Sequence, residues 1–406
     1  MKYAVILMDG MADESIQCLC EQTPLEYAKT PHIDHLALTG EIGTVKTIPE
    51  GCAKGSDTAN LSVLGYNPQK YYFGRSPLEA LSMGVTLKDT DVTFRANVVT
   101  LSEEEEYENK RIIDHSADEI TTEESGQLIE AIEKALGDDI KKFYKGVSYR
   151  HLLVWDKGSR NVKLTPPHDI LDQCIRAYMP SGDHSEEITV LMKKSYDILK
   201  NHPVNKARIE RGLRPANSIW IWGEGIKPQL PLFKDKYQLE GAVISAVDLI
   251  KGIGIGAGMT SIDVEGATGN VHTNYEGKAE AAIKWLIDED KDFVYVHLEG
   301  PDECGHRGEL ENKIKAIELI DEKIIGPIKE ALDKSGEPYQ ILVLPDHPTP
   351  LRLRTHTGEP VPYLLFKSGE VAKDEEKRYT EKYATEKGKL IEEGHTLMDS
   401  FLKQSL

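Results

Sequence analysis

Six side chains in this sequence have the ligand chemistry of a divalent metal ion, and they recur at one kind of place. Asp9, Asp302 and the pair Asp346-His347 each follow a short run of aliphatic and aromatic residues. His306 lies four residues beyond Asp302, and His356 ten beyond Asp346. A single Asp after a strand is ordinarily a loop cap, and a single His ordinarily a satisfied structural residue. Six together at strand ends point instead to a metal centre. Carboxylates with imidazoles suit Mn²⁺, Zn²⁺, Co²⁺ or Mg²⁺ and need no thiolate. Six ligands exceed the three or four of one site but suit a pair of ions about 3.5–4 Å apart, which stabilises both the attacking and the leaving oxygen of a phosphoryl transfer.

Such a centre gives a purpose to Ser56 in CAKGSDTANLS, residues 52–62. Alone, a serine between Gly55 and Asp57 reads equally as a helix cap, a phosphate anchor or a nucleophile. Beside metal ions its hydroxyl is deprotonated more readily, and it can attack phosphorus and carry the group covalently. Asp57 reads as a cap of the following helix, and Asn60 stays open between the two kinds of role.

The elements that must position these residues are legible in outline. YAVILM (3–8), FVYVHL (293–298) and YQILVL (339–344) are short apolar runs without alternation, as expected of parallel strands covered on both faces. Ligands in open α/β sheets bind at the carboxyl ends of such strands, where the Asp residues stand. Residues 311–332 carry apolar positions near i, i+3, i+4 and i+7 and predict a helix. The fold class is therefore α/β, a mostly parallel sheet flanked by helices. RANVVTL (95–101), SYRHLLVWD (148–156) and SIWIWGEG (218–225) read as strands of a second α/β domain, with a charged helix over 186–200. We place this inserted, substrate-binding domain at 89–259 and the metal-binding domain at 1–88 and 260–406. GIGIGAG (252–258) reads as a flexible hinge between them. The alternation around Trp220 and Trp222 predicts that one of the two faces a core.

Basic residues gather where the total of −19 would not suggest them. Arg208 and Arg211 share a helix face at i, i+3 with Arg214 close behind, and Arg75, Arg150 and His151 add candidates. Lys251 and Lys278 are weaker ones. Guanidinium forks match carboxylate and phosphate oxygens, so a small phosphate or carboxylate ligand fits there. The acidic total argues against nucleic acid, which needs a basic surface. No apolar run approaches the roughly 18 residues of a membrane span, and the first residues read as a strand rather than a signal peptide. A cytoplasmic location is the expectation. The five cysteines do not suggest a disulfide framework.

Taken in order, MDG, GSDTANLSVLGYNP, GRSPLEA, YRHLLV, PPHD, HPVNKAR, RPANSIWIWGEG, GATGNVHTNY, GPDECGH and PDHPTP resemble the archaeal-type 2,3-bisphosphoglycerate-independent phosphoglycerate mutases of the alkaline phosphatase superfamily. The resemblance runs through essentially the whole chain. It implies an alkaline-phosphatase-like core split by the insertion. It also implies one metal on Asp9, Ser56, Asp346 and His347, and another on Asp302, His306 and His356. Mn²⁺ is the foremost metal. Ser56 would take the phosphoryl group of 3-phosphoglycerate, and the 2-hydroxyl would take it back, with arginines of the insertion holding the substrate. The chain departs from the mutase pattern at Ser76, at Ser82-Met83, at Pro348 and at Arg354-Thr355. There it is similar to a branch proposed to phosphorylate homoserine, which is the alternative acceptor.

Overall fold

The computed structural model describes residues 1–371 and 377–402. They divide into two compact units, Met1–Tyr72 with Gln229–Leu406, and Phe73–Pro228.

The first unit is built on an eight-stranded sheet. The three apolar runs are its centre: Lys2–Met8 lies between Phe293–Leu298 and Tyr339–Leu344, parallel to both. Every residue of these strands is buried. Gly241–Ile244 and Thr260–Ile262 extend the sheet in parallel on one side. Val361–Lys367 joins the other side antiparallel, followed by Glu41–Val45. Helices supply the cover, including Leu310–Ile320 and Gly326–Ser335. The periodicity over 311–332 is thus helical, but a π turn at Asp321–Ile325 interrupts it just before Pro327. A wider turn tolerates the missing proline N–H.

The second unit holds a five-stranded sheet in which Asp91–Leu101 pairs antiparallel with both Arg150–Asp156 and Ser218–Ile226. Thr122–Leu136 and Ser185–Leu199 are its long helices. Trp220 and Trp222 are both buried in its core. Residues i and i+2 of a strand share a face, so the expectation of one inward tryptophan is corrected to two.

The unit boundaries also differ from the composition-based ones. Residues 229–259 belong to the first unit, because Gly241–Ile244 is a strand of its sheet. Residues 73–88 belong to the second, where Ser76 donates a hydrogen bond to the Thr93 carbonyl at 3.1 Å. GIGIGAG is not a hinge but the end of the helix Asp248–Gly256. Its glycines serve close packing: a Cβ on Gly254 would meet Val243 Cγ2 at 2.6 Å.

Candidate metal centre

The register of the three central strands assembles the site. Leu7 pairs with His297 on one side and Leu344 on the other. Asp9 and Asp346 each lie two residues beyond this row, so they leave the sheet side by side on the face His297 uses. Gly10 (φ 62°) follows Asp9, and a Cβ there would meet Asp302 Oδ1 at 2.4 Å. Glycine is required both for the left-handed turn and for that approach. Asp302 and His306 lie one helical turn apart on Gly300–Arg307. Ser56 is the first residue of the helix Ser56–Val63, whose other residues are all buried.

These groups converge. His306 Nε2 lies 3.2 Å from Asp302 Oδ2, and His356 Nε2 lies 3.4 Å from Asp302 Oδ1. His347 Nε2 lies 3.4 Å from Asp346 Oδ2, 3.6 Å from Asp9 Oδ1 and 3.1 Å from Ser56 Oγ. Two sets of ligand atoms lie within 4.8 Å of one another: Asp302 with His347 and His356, and Asp9 with His297 and Asp346.

The hydrogen bonds around the rings fix which nitrogens carry lone pairs. His306 Nδ1 faces the Arg354 carbonyl at 3.1 Å and His356 Nδ1 the Lys54 carbonyl at 3.3 Å. A carbonyl only accepts, so both Nδ1 atoms donate, and in the neutral rings the lone pair is on Nε2. Those Nε2 atoms are 2.9 Å apart, a separation that two lone pairs tolerate only with a proton or a cation between them. Thr349 repeats the device. Its hydroxyl donates to Asp302 Oδ1, so it accepts from His347 Nδ1 at 3.2 Å and leaves His347 Nε2 open. Metal-binding histidines are oriented in this way, by an acceptor on the far nitrogen.

Charge supports the same reading. Burial pushes the Asp9 carboxyl well above its ordinary range, and the neighbouring Asp346 and Asp302 charges add to it. Asp9 Oδ1 is buried without a hydrogen-bond partner. Burial also works to raise Asp302, yet hydrogen bonds from His306 and His356 hold it well below the usual carboxylate range. His306 rises to about 8, chiefly through its hydrogen bond with Asp302. Burial pushes Glu299 up to about 7 and Lys278 down to about 8. Buried carboxylates that repel one another beside imidazole lone pairs are a donor set that divalent cations fit.

A family profile described as 2,3-bisphosphoglycerate-independent phosphoglycerate mutase matches residues 37–205. A protein of Geobacter sulfurreducens named a probable 2,3-bisphosphoglycerate-independent phosphoglycerate mutase is 50% identical over 99% of this chain and 100% of its own. The chain belongs to this mutase family. A mutase of Methanosarcina barkeri is 49% identical over 96% of both chains. Among solved structures, a protein of Pyrococcus horikoshii superposes with a TM-score of 0.82 at 30% identity, covering 100% of this chain and 98% of that one. The cofactor-independent phosphoglycerate mutase of Thermoplasma acidophilum gives 0.68 at 27% identity, covering 99% of each chain.

Three of the positions that depart from the mutase pattern are engaged within the fold. Ser76 is fully buried against Thr93. Pro348 bridges to Met11 and Ala12. Arg354 sits in the left-handed region (φ 56°) and offers its carbonyl to His306.

The basic candidates divide. Arg208 is buried and donates to Glu124, to the Ala117 carbonyl and to the Arg214 carbonyl. Arg211 binds the other oxygen of Glu124, and Arg214 binds Asp114 at 3.0 Å and Asp118 at 3.1 Å. These three guanidinium groups are engaged within the second unit. His151 is buried, with Nδ1 accepting the Gly146 N–H at 3.1 Å. Lys251 pairs with Asp263 at 2.6 Å, and Lys278 is buried with Nζ on the His297 carbonyl at 3.0 Å. Arg150 is exposed, 5.7 Å from the centre of the Tyr149 ring. Arg75 belongs to a basic and aromatic cluster that sequence reading passed over. His168 stacks edge-on against Trp222 and His115, and its pKa is lowered by burial and by the His115, Arg95 and Arg75 charges. The PPHD motif was the one available signal for it.

Around the metal-site candidates Asn60, left open in the sequence, and Asp57, read there as a cap, gain partners, and a third support went unread. Asn60 donates 2.8 Å bonds to Asp346 Oδ2 and the Ser56 carbonyl, and its Oδ1 accepts from Tyr295 at 2.6 Å. Asp57 accepts from its own helix at Thr58 N–H and from Tyr72. The third, His297, had one available signal: a lone titratable residue inside an apolar strand run.

Proposed function

We propose that this protein interconverts 3-phosphoglycerate and 2-phosphoglycerate without 2,3-bisphosphoglycerate, through a phosphoserine at Ser56. The observation that carries this reading is the convergence of Ser56 Oγ with His347 Nε2 at 3.1 Å, beside the Asp9 Oδ1 that is buried without a hydrogen-bond partner. Asp9, Ser56, Asp346 and His347 would hold one divalent ion and Asp302, His306 and His356 a second, with Mn²⁺ foremost. When bound, such ions favour the anionic form of the serine oxygen and neutralise charge on the transferring group.

The chain's own part is as follows. Ser56 Oγ forms a bond to phosphorus as the bond from phosphorus to the 3-oxygen breaks. In the second transfer the 2-oxygen attacks, and Ser56 is released. One glycerate hydroxyl gains the proton that the other gives up, so the isomerisation needs no net acid or co-reactant. Asn60 braces the Ser56 turn against Asp346. The helix that begins at Ser56 points its N-terminus at the group Ser56 carries, which favours a phosphate.

Relatives sharing about half the residues are named mutases, which favours phosphoglycerate over homoserine as acceptor. Incubation of the Mn²⁺-loaded protein with 3-phosphoglycerate, and separately with ATP and homoserine, followed by phosphorus NMR, tests this. The expected result is 2-phosphoglycerate without bisphosphoglycerate. O-phosphohomoserine with no mutase turnover would overturn the reading.

A further inference from the structure

We propose that His297 is a metal ligand of this centre, supplying through Nε2 an imidazole nitrogen to the ion held by Asp9 and Asp346. The inference rests on the two-ion reading above.

Its observations are independent of the motifs. His297 is 1% exposed in a strand whose other residues are apolar or aromatic. Its Nε2 lies 3.0 Å from Asp9 Oδ2. Despite that separation, Nε2 makes no hydrogen bond, and it is buried without a partner, as is Asp9 Oδ1. Two orphaned polar atoms in one buried pocket are costly unless a third group joins them. A cation does so by accepting a lone pair from each. The ring is held for the purpose. Nδ1 lies 3.2 Å from Ser245 Oγ, and that oxygen is itself fixed by the Val247 N–H at 3.0 Å. Lys278 Nζ anchors the His297 carbonyl at 3.0 Å. Hydrogen bonds that fix the far nitrogen and backbone of a ligating histidine are the usual support of such a ligand. Strand register does the rest, since His297 pairs with Leu7, two residues short of Asp9. The ligand atoms of Asp9, His297 and Asp346 lie within 4.8 Å of one another, so one ion can meet all three.

The test is Mn²⁺ binding to the metal-stripped full-length protein, counted by the electron paramagnetic resonance of the free ion. It is run on wild type, His297→Leu and His297→Gln, together with thermal unfolding of the metal-free forms. Wild type is expected to bind two ions. Both variants should bind one ion at least about tenfold more weakly and leave the other unchanged. Leu fills the space in an apolar strand, so metal-free unfolding should stay near wild type. Gln can restore a hydrogen bond to Asp9 but no imidazole. Recovery of affinity in His297→Gln would therefore overturn the ligand assignment in favour of a positioning role. Two ions bound to His297→Leu with wild-type affinity would overturn it outright and leave the two-ion reading standing. Fewer than two ions in wild type would overturn that reading and the inference with it.

Discussion

Two clusters of charged and polar side chains in this molecule are built on opposite principles. At the metal-site candidates of the first unit, donors are held in place and left unsatisfied. The Nε2 atoms of His306 and His356 face each other, and Asp9 Oδ1 and His297 Nε2 are buried alone. At the Arg208–Arg214 corner of the second unit every guanidinium has a carboxylate. Fixed but unspent valence marks a place for a ligand, because leaving a buried polar group unpaired is costly unless something binds there. Completed pairs mark scaffold. Both clusters looked functional in the sequence, and only one has that signature.

The contrast can be broken most directly at Ser56. Ser56→Ala should lower mutase turnover by at least about three orders of magnitude, with far-ultraviolet circular dichroism unchanged. Substantial retained turnover in the NMR assay would remove the phosphoserine step. Next in size is the metal pole. His356→Ala should weaken Mn²⁺ binding by roughly 10–100-fold, and prolonged chelation should silence the wild type until Mn²⁺ is returned. Isothermal titration separates that from an effect on substrate.

Arg208→Ala works on the other side of the comparison. Its side chain is 2% exposed, and its removal takes away the buried partner of Glu124 and the donor to the Ala117 and Arg214 carbonyls, so urea unfolding should report a loss of about 3 kcal/mol. Arg211→Ala removes an exposed partner of the same carboxylate and should cost less than about 1 kcal/mol. If the two arginines proved equal in stability but unequal in KM, the scaffold assignment would fail.

A pH titration gives a graded effect. Burial pushes His151 down to about 3. Between that value and the ordinary one near 6.5, the unfolded chain binds a proton that the folded one excludes. Stability from the neutral ring is therefore complete above about pH 6.5 and is lost as the pH falls toward 3, with a slope of up to about 1.4 kcal/mol per pH unit. His151→Gln should flatten that slope in urea unfolding measured across the window.

Much of the candidate site was legible. Parallel strands buried on both faces have to be continuous apolar runs, so the three central strands were found within a residue of their observed ends. The Asp residues that follow them could then be placed by the strand-end rule. His297 was not legible for the same reason. Inside FVYVHL it reads as one more buried residue, and only its pairing with Leu7 brings it beside Asp9. The arginines failed in the opposite direction. Arg208 and Glu124 are 84 positions apart, and nothing local to VNKARIERGLRPAN reveals that its charges are already matched. GIGIGAG misled because glycine serves flexibility and close packing equally well, and the approach to Val243 decides between them.

The sequence alone determined the α/β class, the Asp and His set and the serine, because each is a local pattern: a run of apolar residues, a polar residue at its end, a fixed spacing. Tertiary structure decided which of those groups are left unsatisfied. That depends on partners supplied by distant segments, such as Thr349 for His347, the Lys54 carbonyl for His356 and Glu124 for Arg208. Hydrogen bonding saturates pair by pair, and a linear sequence names the donors and acceptors without saying which of them have met.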